Sequence, residues 1–332
     1  MSSQLCTIAS SPMRASFVGG GTDLPEYYER FDGLAVGVAI KTYNLVQLIS
    51  QHMHSEPWRL CSSRGSSPDI SAGGIRIINA VLEKYQLGAT YSAFSHTDLT
   101  ELGSGLGSSS SLAVAAVSAA SSCKNKPVSK NELAEEAYYI ERNIVGSPVG
   151  KQDHYMAACG GLNLYEFSRN GNVNVHPLSI SGEGLAEFQQ WLTVIQLPRM
   201  VSANSILAVQ SMTVKKSETA MNSQHEIKRL VEPFVTAIQN SHFSAAAGIL
   251  DKAWRIKQKL NSKISHSSIS ELYERALVAG ALGGKLLGAG GGGHMLLMIP
   301  PDLKTTVRRA LSEYNLMDVH FDYEGAKIIH AS

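Results

Sequence analysis

The sequence predicts an α+β protein of two domains, residues 1–183 and 184–332, and three observations carry that expectation. The chain has 332 residues, room for two domains of ordinary size. Its first half is strand-rich, with Val, Ile, Leu and Tyr recurring through residues 5–9, 13–18, 33–50 and 90–96. Its second half opens on one strand, residues 191–197, and then turns helical, with a boundary near residues 181–187.

Taken in order, residues 5–9 and 13–18 read as short strands around Ser10-Ser11-Pro12. Gly19-Gly20-Gly21 then turn the chain or let its backbone approach a ligand. Thr22 and Asp23 stand where they could cap the helix that Pro25 begins, or face a ligand. Residues 33–50 form a strand pair or one long bent strand; residues 58–61 are a further strand, and 64–71 a loop. Ile75, Ile78, Val81 and Leu82 share one face of a helix over residues 74–85. Strand 90–96 leads to a glycine-serine stretch, and helix 112–120 follows it. Ser129 and Glu132 form a capping box that starts a helix to about Arg142. Gly146 to Gly150 break it, a short helix runs from Lys151 to Ala158, and strands 162–167 and 173–177 pair. The second half holds helices at 202–214, 224–239, 244–260, 269–279 and 303–314, and strands at 294–299 and 317–323.

The chemistry centres on residues 101–116, ELGSGLGSSSSLAVAA. Gly103-Ser104-Gly105-Leu106-Gly107 is followed by four serines, Ser108 to Ser111, and an alanine-rich run. A helix that starts directly after a glycine turn presents unpaired N–H donors and a positive dipole end, a site for phosphate. The alternative is a glycine-rich turn before a core helix; the serine run favours phosphate. No lysine completes a Walker loop, and no acidic residue about 20 positions on completes a dinucleotide fingerprint. A second glycine run, Gly290 to Gly293, suits a backbone that skirts a ligand or the other domain. Glu141 and Asp153 could supply the carboxylates of a phosphoryl-transfer site. They equally fit a surface ion pair and a helix N-cap, respectively.

Composition narrows the classes. A chain with 44% hydrophobic and 17% charged residues is expected to be a soluble globular protein. A net charge of +1 gives no field that would attract nucleic acid or a membrane. The four cysteines lack CxxC spacing and read as free thiols of a reducing compartment. With no signal peptide and no run of 18 apolar residues, a cytoplasmic location is expected.

Three motifs together resemble the GHMP small-molecule kinases: Ser11-Pro12-Met13-Arg14 with Gly19-Gly20-Gly21-Thr22-Asp23; Gly103 to Ser110; and Lys285-Leu286-Leu287-Gly288-Ala289 with Gly290 to Gly293. The resemblance implies a ribosomal-protein-S5-like N-terminal domain, a ferredoxin-like C-terminal domain, and ATP with Mg²⁺ as cofactors. It implies that Gly103, Ser104, Gly105, Leu106, Gly107, Ser108, Ser109 and Ser110 hold ATP. Ser109 and Glu141 would hold Mg²⁺, with Ser108 and Ser110 as other candidates. Asp153 would be the base, and Arg14 would keep it ionised and stabilise the transferring phosphate. Gly20, Gly21, Thr22, Asp23, Gln152, Gly291 and Gly292 would face the substrate.

Within the family, the GGGTD form of the first motif and Val149-Gly150-Lys151-Gln152-Asp153 resemble enzymes that phosphorylate the anomeric hydroxyl of a heptose 7-phosphate, toward nucleotide-activated heptose. Fucokinases share much of this pattern, so a hexose 1-kinase is the alternative, and a non-catalytic sugar-phosphate binder is the alternative of another class. The distal phosphate of a heptose 7-phosphate would need basic residues, with Arg59, Arg64, Arg76 and Arg199 as candidates. Leu102 stands where relatives often carry Pro, and His294 where they often carry Phe; His294 reads as a packed strand residue.

Overall fold

The computed structural model describes residues 6–50, 61–62, 72–88, 90–99, 104–198, 218–260, 264–265 and 267–332. Two long antiparallel strands organise its first half. β1 (Cys6–Ser16) is continuous, where two short strands were expected, and β2 (Gly33–Ser50) is a single strand of 18 residues. Their register slips between Pro12, opposite Tyr43, and Met13, opposite Ile40. Proline has no N–H for the ladder, and such an irregularity re-aims the side chains beyond it. Ala9 accordingly packs into one core cluster, and Met13 and Ala15 into another. Arg14, between those two, faces the opposite way, toward the site described below.

Helix α1 (Pro25–Phe31) follows the first glycine turn. Its N-cap is Leu24 and no side chain caps it, so Thr22 and Asp23 are not capping residues. β4 (Tyr91–Thr97) and β5 (Leu162–Phe167) pair with the two ends of β2. β3 (Cys61–Ser62) runs parallel to β4, and β6 (Val173–Pro177) extends the sheet from β5. β11 (Lys327–Ala331) adds an edge beside β1. That last strand is exposed along its length and was not expected.

Helices α2 (Ala72–Lys84), α3 (Ser108–Cys123), α4 (Lys130–Tyr139) and α5 (Gln152–Cys159) cover one face of this sheet. α3 lies at their centre, buried on nearly every side. Its alanines and serines let α2, α4 and α5 approach closely. The Ser129–Glu132 capping box is present as expected.

Residues 182–191 form a helix, α6 (Gly182–Trp191), that was not expected; the division between 183 and 184 falls in its first turn. β7 (Leu192–Leu197), β8 (Gly283–Leu286), β9 (Gly293–Met298) and β10 (Leu316–Asp318) form an antiparallel sheet in the order β10-β7-β9-β8. β8 escapes sequence reading because two of its four residues are glycine. The helix expected over 224–239 is two, α7 (Glu218–Arg229) and α8 (Val231–Gln239), broken at Leu230. α9 (Phe243–Leu260) and α10 (Ser267–Val278) match expectation. α11 (Lys304–Ala310) ends before the expected 314. The strand expected to reach 323 stops at Asp318, with Phe321 making one bridge to Ile40. The expected helix 202–214, loop 64–71 and residues 58–60 lie outside the described residues.

Alternation in β7 and β9 decides how the halves meet. Leu192, Val194, Leu296 and Met298 enter the same cluster as Met13, Phe17, Val36 and Val38 of the first sheet. Ile195, Leu197, Met295 and Leu297 face Trp254, Leu272 and Tyr273. Phe17 lies 5.5 Å from Phe188 and 5.4 Å from Phe234, ring centre to ring centre. One shared core therefore joins the halves beside the site. Among the described residues, no helix is long and apolar enough to cross a membrane.

Candidate active site

A cavity of about 570 Å³, counting its open mouth, lies where β1, the first glycine turn and the start of α5 meet α9 and the β8–β9 turn. Arg14 and Asp153 sit on its wall. Arg14 Nε donates to Asp153 Oδ1 at 2.7 Å, and Nη2 donates to Oδ2 in the second prong of a fork. Its remaining nitrogen, Nη1, donates to Gly105 O at 2.6 Å. One guanidinium thus links the carboxylate to the glycine-serine loop. The Arg14 side chain is 4% exposed and that of Asp153 is 22% exposed, so the carboxylate is the member that meets the cavity.

Asp23 lies on the same wall. Its Oδ1 accepts from Gly21 N at 3.0 Å and Gln152 Nε2 at 3.1 Å; its Oδ2 accepts from Gln152 N at 3.1 Å. Burial, and then the Asp153 charge, push its pKa up, while the N–H groups of Gln152 and Gly21 oppose the shift. Lys151 fixes the start of α5 that carries Gln152 and Asp153: its Nζ donates to Glu135 Oε1 and to Gly171 O, both at 2.6 Å. Gly150 leaves Asp23 its space, since a Cβ there would lie 2.0 Å from Asp23 Oδ2. Gly150→Ala is therefore expected to displace Asp23. Misplacement on the order of 1 Å can cost about 10²-fold in rate, so steady-state kcat/KM for the acceptor should fall by about that factor with the fold retained.

The glycine-serine loop leads directly into α3. Gly107, in the left-handed region at φ 75°, is the N-cap of α3, and no side chain caps the helix. Gly105 crosses Leu287 so closely that a Cβ would lie 2.6 Å from Leu287 O. Ser104 O accepts from His294 Nδ1 at 2.7 Å, and Leu106 O accepts from Arg14 N at 2.9 Å. His294 is thus packed, as expected, and also holds the loop. Gly103 and Leu102 lie outside the described residues.

Behind α3, residues Ile140–Ile144 form a π-helical turn, a local widening that often accompanies a functional site. It turns Glu141 inward, where it is 1% exposed. Glu141 Oε2 accepts from Ser110 Oγ at 2.9 Å and from His154 Nε2 at 2.7 Å. The serine bonded to Glu141 is Ser110, the third residue of α3, which is buried; Ser109, the expected Mg²⁺ ligand, is exposed and Ser108 half-buried. Sequence reading missed His154, whose buried Nδ1 has no hydrogen-bond partner among the described residues.

Three other expectations are corrected. Thr22 does not line the cavity: its hydroxyl lies 2.8 Å from Gly19 O and 2.7 Å from Leu34 O, pinning the glycine turn to β2. Gly291 and Gly292 do not line it either; Gly288 and Ala289 do, and Gly291 N donates to Ile264 O at 3.0 Å. Of the arginines considered for a distal phosphate, Arg76 is exposed on α2 away from the cavity. Arg59, Arg64 and Arg199 lie outside the described residues.

Two lysines of the cavity wall, Lys257 and Lys285, had been given no role. A signal existed for Lys257: it stands three residues after Trp254 and seven after Leu250, on a buried helical face where a lysine is out of place. Burial, and then Arg14, lower the Lys257 ammonium to about 8; burial, and then Lys257 and Arg14, lower that of Lys285. The Lys257 shift has a signed consequence. Between pH 8 and the ordinary 10.5 the unfolded chain holds a proton that the native lysine has released. The burial penalty, full below pH 8, is therefore relieved as pH rises through that window. Urea melts should show wild-type stability rising relative to Lys257→Met across it.

The model for the GHMP kinases N terminal domain matches residues 72–161, and that for GHMP kinases C terminal matches residues 234–315. A D-glycero-alpha-D-manno-heptose 7-phosphate kinase of Campylobacter jejuni is 28% identical over 337 residues, covering 96% of this chain and 97% of that protein. A bifunctional fucokinase/GDP-fucose pyrophosphorylase of Arabidopsis thaliana is 25% identical over 93% of this chain and 31% of its own. The crystal structure of a D-glycero-D-manno-heptose 1-phosphate kinase from Bacteriodes thetaiotaomicron superposes with a TM-score of 0.77, at 25% identity, over 98% of this chain and 99% of that one. The two family models together span more than half of the chain in the expected order, and the chain belongs to the GHMP kinase family. It is an ATP-dependent kinase with that family's two-part α+β fold.

Proposed function

We propose that this kinase acts on a sugar and transfers the γ-phosphoryl group of ATP to the anomeric hydroxyl of D-glycero-D-manno-heptose 7-phosphate, giving the 1,7-bisphosphate. The observation that carries the chemistry is the Arg14–Asp153 fork, opening on a cavity whose wall also holds Asp23 and Gln152. Support for the acceptor comes from the Campylobacter and Bacteriodes relatives, both named for a phosphorylated heptose. Their names differ in the position of that phosphate, which product analysis separates.

In this reading Asp153 takes the proton of the anomeric hydroxyl. Each carboxylate oxygen keeps a lone pair beyond its bond to Arg14, so both roles fit one group. The sugar oxygen forms its bond to the γ-phosphorus as the bond from that phosphorus to the ADP oxygen breaks, and ADP carries the electron pair away. Arg14 fixes the Asp153 carboxylate through the two-pronged fork and offsets charge that develops on the transferring group. Asp23 and Gln152 hold sugar hydroxyls. The loop from Gly103 to Gly107 and the start of α3 hold the ATP phosphates. Residues 1–183 and 184–332 are taken as the two functional units.

The hydroxyl of Ser110 and the carboxylate of Glu141 are hard oxygen donors 2.9 Å apart, a set that fits Mg²⁺. Among the described residues no cluster of three or more His, Cys, Asp or Glu side chains could hold a metal alone. Mg²⁺ held there by Ser110 and Glu141 would neutralise charge on the ATP phosphates. Glu141→Gln and Ser110→Ala are expected to raise the Mg²⁺ concentration for half-maximal rate, Glu141→Gln more, and both more than Ser109→Ala. A Mg²⁺ titration of the three variants checks the order; a larger effect for Ser109→Ala would restore Ser109 as the ligand.

ADP release with the heptose 7-phosphate, its unphosphorylated heptose, fucose, galactose and mannose tests the acceptor. Preference for the 7-phosphate is expected. Preference for fucose would move the enzyme to the hexose 1-kinases, the reading that the Arabidopsis likeness favours.

A further inference from the structure

Lys257 on α9 and Lys285 on β8 line the cavity from the second half of the chain. Lys257 Nζ donates to Gly288 O at 2.6 Å. Lys285 Nζ donates to Phe17 O at 2.8 Å and reaches Ser16 Oγ at 3.5 Å. An ammonium group carries three donors, so each lysine retains at least one for the cavity. Among the described residues neither makes an ion pair. The two carboxylates of the wall are engaged already: Asp153 lies in the Arg14 fork, and Asp23 takes N–H groups of Gly21 and Gln152. Two ammonium groups on the wall of a partly closed cavity cost free energy until an anion joins them.

The position of the pair says which anion. Asp23, Gln152 and Asp153 share the cavity wall; Ser104 to Ser110 and Glu141 do not line the cavity, although Gly288, to which Lys257 donates, packs against Gly105. The geometry points to a two-lysine subsite, Lys257 with Lys285, that takes the phosphate carried by the acceptor itself. This rests on the sugar-phosphate reading above and deepens it. The first half of the chain takes the sugar hydroxyls through Asp23 and Gln152, and the second half takes the acceptor phosphate. An unphosphorylated sugar leaves both ammonium groups uncompensated, so the pair selects phosphorylated acceptors.

The same dianion chemistry is offered by the γ-phosphate of ATP, and the test separates the two sources. Lys257→Met, Lys285→Met and Lys285→Arg are assayed with the heptose 7-phosphate and with the unphosphorylated heptose, and inorganic phosphate is titrated as a competitor of the acceptor. For the Met variants the ratio of the two kcat/KM values is expected to fall about tenfold or more, roughly the loss of one charged hydrogen bond. The inhibition constant of phosphate should rise by a similar factor, and KM for the acceptor should move more than KM for ATP. Lys285→Arg keeps the charge and should retain more of the ratio than Lys285→Met. Lys257 is only half-buried, so Lys257→Met keeps the test open if Lys285→Met fails to fold. An unchanged ratio with an unchanged phosphate constant overturns the subsite. A main effect on KM for ATP overturns it too, assigning the lysines to the nucleotide. If the wild type uses both heptoses alike, the heptose 7-phosphate reading fails by itself, and the phosphate constant alone decides the subsite. A rise in the variants then retains it and no change removes it.

Discussion

Asp153→Asn is expected to lower kcat by about 10²–10⁴-fold while ATP binds as before, the usual worth of a positioned base. The substitution keeps the size of the side chain and removes its capacity to take a proton at the cavity wall. It also leaves Arg14 facing a neutral amide, whose oxygen can accept one prong of the fork while its NH₂ group opposes the other. Rapid-quench kinetics with saturating ATP, beside a nucleotide-binding titration, checks the split. A variant with near-wild-type kcat removes Asp153 from the chemistry. A variant that no longer binds ATP makes it a residue of the nucleotide site.

Arg14→Met is expected to cost about 10²–10³-fold in kcat, the scale seen when one donor to a transition state is removed. Its effect reaches further than one donor. Gly105 O loses its Nη1 bond, and Asp153 is left near Asp23 with no guanidinium on it. Arg14→Lys keeps the charge but loses the fork, and should fall between wild type and Arg14→Met. Single-turnover rates of the three proteins check this order, and a near-wild-type rate in Arg14→Met would remove Arg14 from the chemistry.

Much of this site was legible because backbone chemistry leaves marks in sequence. The glycines before Ser108 and the run Gly19-Gly20-Gly21 mark close approach: Gly20 and Gly21 line the cavity, and Gly105 O is tied to its wall by Arg14. Amphipathic spacing located α2, α9 and α10, and the capping box located α4. What stayed hidden depends on direction and not on residue type. A run of four serines does not say which hydroxyl turns inward; the start of α3 and the π-helical turn decide for Ser110. Thr22 and Asp23 are adjacent, yet one pins the glycine turn and the other faces the cavity. Gly291 and Gly292 belong to the singled-out run Gly290 to Gly293, but the residues that line the cavity, Gly288 and Ala289, stand just before it. Lys257 and Lys285 come from a helix and a strand that meet the first half only through the shared core, a long-range arrangement that local patterns do not encode. α6 and β11 were missed for a simpler reason: one fills the stretch read as a boundary, and the other is an exposed edge.

The most direct test is ³¹P NMR of the product formed from ATP, Mg²⁺ and D-glycero-D-manno-heptose 7-phosphate. The account predicts a heptose with two phosphates, the new one coupled to the anomeric proton and formed in step with ADP. A product phosphorylated at another carbon, or ADP formed only with an unphosphorylated sugar, would contradict it.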